Sequence, residues 1–569
     1  MKNAAYPLYP AQELTDLRQL LEQKALACPN EPAFRYMVAR KAMVERTYSQ
    51  FYRDVRALGT FLLKHYTIGR KIALISENSY HWLVAYFAIV TTGNVAVLIS
   101  KDSTDSEAAT LIFQSDAEII VTSEACESAA RFCKAKYGRK RRYYSLSHMN
   151  KWLAAGCKAL DKGKKHYDRV TVDPDALSCI FFTSGSTGFS KGVMLSQRNM
   201  TSDITEMLQL FDPTGSTMSV LPYTHAFGLV VGLMVPFFCQ MPVFICSSLS
   251  NFMREIPLAK PTILVLVPLF VETFSKTIWR TAEKQGQAKT LRRGMTASDT
   301  MLRLGIDRRR KLFTSVHAKF GGQLHTIICG GAPLDPRFVK EFRSLGVEII
   351  NGYGITECSP VLSANRNHHN LAGSVGMPLP GIELKIVAPD DKGRGEVAVK
   401  GPNIMLGYYR DPKSTSEVID SEGWFHTGDL GYLSEEGFLF ITGRKKSVII
   451  LSNGENVSPE EIEQYVERID EVQEVVVYAD ENAITAEVYP DPEIELTRKE
   501  LVRRIQKQID KLNASLPSYK HIQRLKIRDK EFEKTSTRKI KRYKAAPKQA
   551  EPEEDAPIDP AAPALEPEE

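Results

Sequence analysis

A chain of 569 residues with 43% hydrophobic and 25% charged residues is too long for one core and too apolar for a disordered protein, so two or more soluble globular domains are expected. Net charge is +6, but the last 25 residues hold eight acidic side chains against one lysine, which leaves +13 on the rest. The nine cysteines form no C-x-x-C pair and no even framework, which argues against a disulfide scaffold and predicts reduced, mostly buried thiols in a cytoplasmic protein.

The N-terminal MKNAAYPLYP lacks the apolar core of a signal peptide. Residues 11–70 open with helical periodicity at Leu14, Leu17, Leu20 and Leu21 and continue into a second helix around Tyr52–His65. KIALISENS, 71–79, reads as a strand ending in a polar turn, Tyr80–Thr91 as a helix and Val95–Ile99 as the next strand. Further strands at 118–122 and 178–183 alternate with helical stretches, the rhythm of βαβ units around a parallel sheet. Such sheets bind ligands beyond the carboxyl ends of their strands.

FFTSGSTGFSKG, Phe181 to Gly192, lies at such an end. Glycines let backbone N–H groups approach an anion, hydroxyls add donors and Lys191 adds a point charge, a combination that cradles phosphate. The P-loop of kinases and GTPases needs glycine before the lysine and Ser or Thr after it; Ser190 and Gly192 stand there instead, so that reading fails. The bland alternative is an ordinary Ser/Gly turn between strand and helix. TSGSTGFSKG resembles the phosphate loop of the adenylate-forming superfamily: acyl-CoA synthetases, peptide-synthetase adenylation domains and luciferases. The resemblance implies that Thr183, Ser184, Gly185, Ser186, Thr187, Gly188 and Lys191 bind the phosphates of ATP.

LPYTHAFGL, 221–229, contains a lone His225, by itself equally a core residue or a ligand contact; the resemblance places it at the acyl pocket as a gating residue. The run Phe227 to Cys246 is long enough to span a bilayer, but Pro236 and Pro242 split it, so a buried helix followed by a buried strand is expected. Residues 275–315 are basic: Arg292, Arg293, Arg303, Arg308, Arg309, Arg310 and Lys311. A solvated helical face is the first reading and attraction to anionic lipid headgroups the second. No aromatic interleaving or known module points to nucleic acid. This insertion is similar to that of bacterial long-chain fatty acyl-CoA synthetases.

The family's remaining motifs follow in order over residues 30–543. HTIICGGAPL, 325–334, and VEIINGYGITE, 347–357, read as strands delivering small residues and one aromatic, a slot for a flat base. The resemblance implies adenine between Gly331, Ala332, Pro333 and Gly354, with the Tyr353 ring stacked on it. Thr356 is then an α-phosphate contact, and Glu357 with Thr183 the magnesium ligands. Short alternating runs from about 380 read as an antiparallel β subdomain. In GWFHTGDLGYL and GRKKSVIILSNGENVSPEEIE, Asp429 and Arg444 match the ribose contacts, Lys446 the interdomain hinge and Gly454 the thiol tunnel. In EKTSTRKIKRY, Lys539 matches the catalytic lysine of the C-terminal loop. Ser447 stands where the family usually has an acidic residue, and Arg538 where a glycine commonly precedes the lysine.

The fold class expected is α/β: a large N-terminal domain of layered, mostly parallel sheets (1–444, with the antiparallel subdomain at about 380–442) and a small mobile α+β C-terminal domain (445–544). A disordered acidic Pro/Ala-rich tail (545–569) follows. The activity implied is ATP- and Mg2+-dependent activation of a carboxylic acid, most simply a medium- or long-chain fatty acid, to an acyl-adenylate. Transfer to coenzyme A follows, with catalytic roles for Lys539, Thr356, Lys191 and His225. Alternatives are ligation to an acyl carrier protein, or a nucleotide-binding scaffold without catalysis; a peptide-synthetase module is disfavoured because no carrier domain follows residue 544. The location expected is the cytoplasm, with peripheral association at the inner membrane face as the second reading.

Overall fold

Helix Tyr80–Val90, YHWLVAYFAIV, has no polar face, and ten of its eleven residues are buried. A helix that is apolar all round belongs inside a core rather than on a surface. Its first turn is fixed by Ser79, whose hydroxyl accepts from the Trp82 amide at 3.1 Å. Around it pack Phe34, Phe51 and Phe237, with Phe34 and Phe51 edge to face at 4.7 Å.

The computed structural model describes residues 8–38, 42–138, 141–184, 190–367, 369–450, 456–480, 483–534 and 540–545. The chain divides into two units, one running to Lys446 and one beginning at Ser447. The acidic tail from residue 546 lies outside the described residues.

Three sheets make the first unit. In a seven-stranded sheet, Lys71–Ile75, Val95–Ile99, Ile119–Thr122, Arg142–Ser145 and Leu177–Ser184 run parallel. Ser190–Ser196 and Gly407–Tyr408 extend one edge antiparallel. A nine-stranded sheet has six parallel strands at its centre, among them Thr326–Cys329 beside Glu348–Gly354. The third sheet is antiparallel throughout: Glu383–Val387, Gly395–Lys400, Phe425–Leu433 and Leu439–Arg444. The α/β architecture, parallel-rich with an antiparallel subdomain, is the one expected from the sequence. In the second unit, Val472–Asp480, Ala483–Pro490 and Arg524–Ile527 form a sheet whose Val475, Val477 and Val488 share a core with Ile505 and Ile509 of helix Arg498–Asn513.

Two local expectations change. The helical run across 11–70 is interrupted by a hairpin, Pro32–Val38 with Ala42–Thr47, before Thr47 caps the helix Tyr48–His65. The glycine-rich stretch connects Leu177–Ser184 to an antiparallel partner, Ser190–Ser196, so it joins a strand to a strand rather than to a helix. The 227–246 run is a π-helical segment, Phe227–Met234, a short turn Val235–Phe238 and the strand Val243–Ile245. Among the described residues no helix is long and apolar enough to cross a membrane. All nine cysteines are free thiols.

Helices Tyr48–His65 and Met149–Asp161 approach so closely that a Cβ on Gly156 would lie 1.9 Å from the Ala57 carbonyl oxygen. Alanine normally stabilises a helix interior by about 1 kcal/mol over glycine. Here the sign reverses, because overpacking costs about 1–3 kcal/mol. Gly156→Ala is therefore expected to lower the melting temperature by several degrees; an unchanged or raised midpoint would contradict the packing described.

Candidate active site

The strands Thr326–Cys329 and Glu348–Gly354 pair in parallel with Cys329 opposite Asn351. This register puts the turn Gly330-Gly331-Ala332-Pro333 beside Gly352 and Tyr353. The approach is tight: a Cβ on Gly330 would lie 3.3 Å from the Gly352 carbonyl oxygen and 3.3 Å from the Phe227 ring. Gly331 has φ +84°, left-handed backbone that favours glycine. At Gly354 a Cβ would meet the Pro360 carbonyl oxygen at 1.8 Å, so only glycine fits. The structure thus brings Gly331, Ala332, Pro333, Tyr353 and Gly354 to the ends of adjacent strands.

Asp429 is buried on the antiparallel sheet, directly across from Arg444. The Tyr353 hydroxyl donates to Asp429 Oδ2 at 2.6 Å, and Arg444 Nε donates to Oδ1 at 2.9 Å. Burial and the facing carboxylate push the Tyr353 phenol far above its ordinary range, so it remains a donor. A carboxylate oxygen has two lone pairs, so both oxygens retain capacity for the vicinal hydroxyls of a ribose. Glu396 supports this corner. It accepts from the Gly428 amide at 3.2 Å and from Lys445 Nζ at 2.9 Å.

A second group forms at the edge of the seven-stranded sheet. Thr183 is the cross-strand partner of Lys191, and Ser184 that of Ser190. The Lys191 ammonium sits 4.7 Å from the centre of the Tyr408 ring, a cation–π contact. The Tyr408 hydroxyl in turn donates to Glu357 Oε1 at 2.9 Å. Burial raises the Glu357 carboxyl above its usual value, opposed by the Tyr408 donor and by the Arg444 charge. A hard cation such as magnesium takes one or two protein carboxylates and fills its other positions with phosphate and water. The Glu357 carboxylate, buried and held by the Tyr408 hydroxyl, fits that donor set.

The turn carrying Thr356 and Glu357 is held from beneath. Asn403 Nδ2 donates to the carbonyl oxygens of Cys358 at 2.8 Å and Val361 at 2.9 Å. Buried Asp203 accepts from Asn403 and from the Val361 amide, and the Met405 amide donates to the Glu357 carbonyl at 2.8 Å. His225 is half-buried in the turn before the π-helical segment, its amide donating to the Pro222 carbonyl at 3.2 Å. Phe227, two residues on, packs beside Gly330.

Gly185, Ser186, Thr187, Gly188, Gly454 and Lys539 lie outside the described residues. Lys446 is the last residue of the first unit. Tyr408, Glu396, Asn403 and Asp203 are missed by the sequence reading. Only Tyr408 carries a signal, the aromatic pair in LGYYRDP.

A family model described as AMP-binding enzyme matches residues 21–409, and one described as AMP-binding enzyme C-terminal domain matches 446–552. "Probable acyl-activating enzyme 16, chloroplastic" of Arabidopsis thaliana is 29% identical over 83% of this chain and 75% of its own length. "Long-chain-fatty-acid--CoA ligase 6" of Mus musculus is 32% identical over 58% of this chain and 50% of its own length, so the match spans half of that protein. The crystal structure of ATP-bound MatB from Rhodopseudomonas palustris shares the fold, with a TM-score of 0.72 at 22% identity over 94% of this chain and 98% of that one.

Removing the Tyr408 hydroxyl leaves a partly desolvated carboxylate without that donor, at a cost of about 1–3 kcal/mol. Tyr408→Phe is expected to lower kcat/KM for ATP roughly 10-fold or more, with a drop of no more than a few degrees in the melting temperature. Wild-type kinetics would show that the Tyr408–Glu357 bond has no part in the reaction.

Proposed function

The chain belongs to the AMP-binding enzyme family, and from that premise we propose that it joins an aliphatic carboxylic acid of medium or long chain to coenzyme A through an acyl-adenylate. The observation that carries this reading is the meeting, within one unit, of a nucleoside corner and a phosphate corner. Tyr353, Asp429 and Arg444 make the first; Lys191, Tyr408 and Glu357 make the second.

In the first step a carboxylate oxygen attacks the α-phosphorus, the bond to the β-phosphate bridging oxygen breaks, and pyrophosphate leaves. Two anions must meet, so positioning and charge neutralisation are the main tasks. Gly331, Ala332, Pro333, Gly354 and the Tyr353 ring hold the base, and Asp429 with Arg444 anchors the ribose. Lys191 and the hydroxyls from Thr183 onward hold the terminal phosphates, Thr356 contacts the α-phosphate, and Glu357 is the magnesium ligand. Magnesium, if bound, would be held by Glu357 and would supply positive charge to offset that of the phosphates. In the second step the thiolate of coenzyme A attacks the acyl carbonyl and AMP leaves. The resemblance assigns Lys539 to the charge that builds as acid and ATP meet, Lys446 to the hinge, Gly454 to the thiol path and His225 to the acyl pocket. An acyl carrier protein as acceptor would use the same first step.

The fatty character of the acid draws support from relatives named as long-chain ligases and from one surface. Around the turn at Gly305, Leu304 is 72% exposed, Ile306 48% and Leu312 45%, next to Arg303, Arg308 and Lys311. Exposed apolar side chains ringed by cations suit the interface of an anionic membrane, where free fatty acids partition. Not every cation of the run is available. Arg309 pairs with Asp307 and Arg310 donates to the Leu324 carbonyl, so these two are structural. Leu304→Glu combined with Ile306→Glu is expected to reduce co-sedimentation with anionic vesicles while leaving turnover of dispersed substrate intact; equal sedimentation would exclude this surface.

The half-reactions separate the roles. Lys539→Ala is expected to slow pyrophosphate release about 10² to 10³-fold, the cost of one preorganised charge donor. Thioester formation from a supplied acyl-adenylate should survive, because the charge assigned to Lys539 builds only as acid and ATP meet. Equal slowing of both steps would overturn this role. Across acids of two to eighteen carbons, kcat/KM should be highest between C8 and C18, since each buried methylene contributes about 0.8 kcal/mol. Preference for acetate or benzoate would refute the fatty-acid reading.

A further inference from the structure

The strand Phe425–Leu433 is irregular where it carries Asp429. Ala398 pairs with His426 and Glu396 with Leu430, so Val397 alone stands opposite Thr427, Gly428 and Asp429. Such a bulge re-aims side chains and gives up ladder hydrogen bonds, and whatever replaces those bonds decides where Asp429 points. Gly428 lies in the bulge with φ +69°, and a Cβ there would meet nothing within 4 Å, so this glycine serves the backbone turn and not a close approach. Side chains pin the bulge. The Thr427 hydroxyl donates to the Val397 carbonyl at 2.8 Å and accepts from the Asp429 amide at 3.1 Å. Glu396 Oε1 accepts from the Gly428 amide at 3.2 Å.

Glu396 is itself held from two sides. Its Oε2 accepts from Lys445 Nζ at 2.9 Å and lies 3.5 Å from His426 Nδ1. The other ring nitrogen, Nε2, lies 3.3 Å from Asp420 Oδ2. Asp420 is fixed in turn, because its Oδ1 accepts from the Glu422 and Trp424 amides at 3.0 and 2.9 Å. A neutral imidazole carries one N–H and would turn the lone pair of its other nitrogen toward a carboxylate; only the cation donates to both. Glu396 and Asp420 then face Lys445 and His426, two charges of each sign. Burial works against the Glu396 charge, yet Lys445 and His426 hold its carboxyl below the usual value. Without His426, Oε2 would keep only the Lys445 ammonium, on a flexible side chain that is 61% exposed.

We propose that His426 is a positioning residue for nucleotide binding: bracketed by Glu396 and Asp420, it steadies Glu396 on the Gly428 amide and so fixes the bulge that aims Asp429. It acts through Asp429 and not on the reacting atoms, and the inference rests on the reading of Asp429 as the ribose anchor.

The test assays the full chain for pyrophosphate release with ATP and with 2′-deoxyATP, which lacks one of the two hydroxyls open to Asp429. The wild type is expected to prefer ATP about tenfold or more in kcat/KM, the effect of one hydrogen bond lost from a charged acceptor. His426→Gln is neutral and donates to one side only. It should raise KM for ATP about fivefold or more, change kcat by less than about twofold and narrow the preference for ATP to about threefold or less. His426→Arg, which keeps the charge and can donate to both carboxylates, should restore both KM and the preference. The ratio between the two nucleotides does not depend on how much of a preparation is folded, so partial unfolding cannot mimic the result. A His426→Gln enzyme with the wild-type preference, whether its KM values stay put or rise equally, would overturn the proposal, as would an Arg variant no better than the Gln one. Asp429→Ala separates the two readings. If it abolishes the preference while His426→Gln keeps it, this inference alone fails; if it too keeps the preference, the ribose reading fails and the inference with it.

Discussion

Two hydrogen bonds from phenol to carboxylate tie three sheets into one site. Tyr353, at the end of a nine-stranded-sheet strand, bonds Asp429 of the antiparallel sheet. Tyr408, from the edge of the seven-stranded sheet, bonds Glu357 just beyond the same Tyr353 strand. Each bond pairs a neutral donor with an anion, the stronger class of hydrogen bond, and each lies in surroundings poor in water. The three sheets share one apolar core, which sets their coarse spacing; the two bonds fix the orientation of the polar side chains at its edge. Positional precision matters here, because reaction between two anions depends on alignment more than on any single attraction.

The supports beneath these bonds are mostly main-chain carbonyls and amides captured by polar side chains. Asn403 spans two carbonyls of the turn that carries Glu357, and Asn199 reaches the carbonyls of Pro402 and Ile404 on the other side. The Asn403 amide nitrogen, with three acceptors around it, resists rotation, since displacement would leave a buried donor unpaired. Glu396 acts similarly beside Asp429, joining the Gly428 amide to the Lys445 ammonium.

Much of the site was legible in the sequence where short segments carry their own chemistry. The glycines and Tyr353 at strand ends, the paired Asp429 and Arg444, and Thr183 with Lys191 were recognisable as motifs, and the structure brings each group together. What escaped was set by contacts between distant segments. Tyr408 pairs with the strand beginning at Ser190, far away in sequence, and nothing in LGYYRDP says which strand it will join. Asn403 and Asp203 read as ordinary polar residues until a helix and a loop meet around them. The Pro32–Thr47 hairpin was hidden because Tyr, Met, Val and Arg serve helix and strand alike, and the choice is made by pairing with Val243–Ile245. The basic stretch at 303–312 was legible as charge, but not as a mixture of structural arginines and exposed leucines.

Asp429 and Arg444 sit on consecutive strands joined by the short connection 434–438. Closing so small a loop carries little entropic penalty, and local pairings of this kind can form early. Tyr353 reaches the same carboxylate from a strand far upstream and can arrive only once the larger sheet has assembled. The hairpin that carries Asp429 and Arg444 is thus able to form during folding as a local element, waiting for the partner that completes it. A nascent chain released from synthesis at residue 444 already contains every residue of that hairpin.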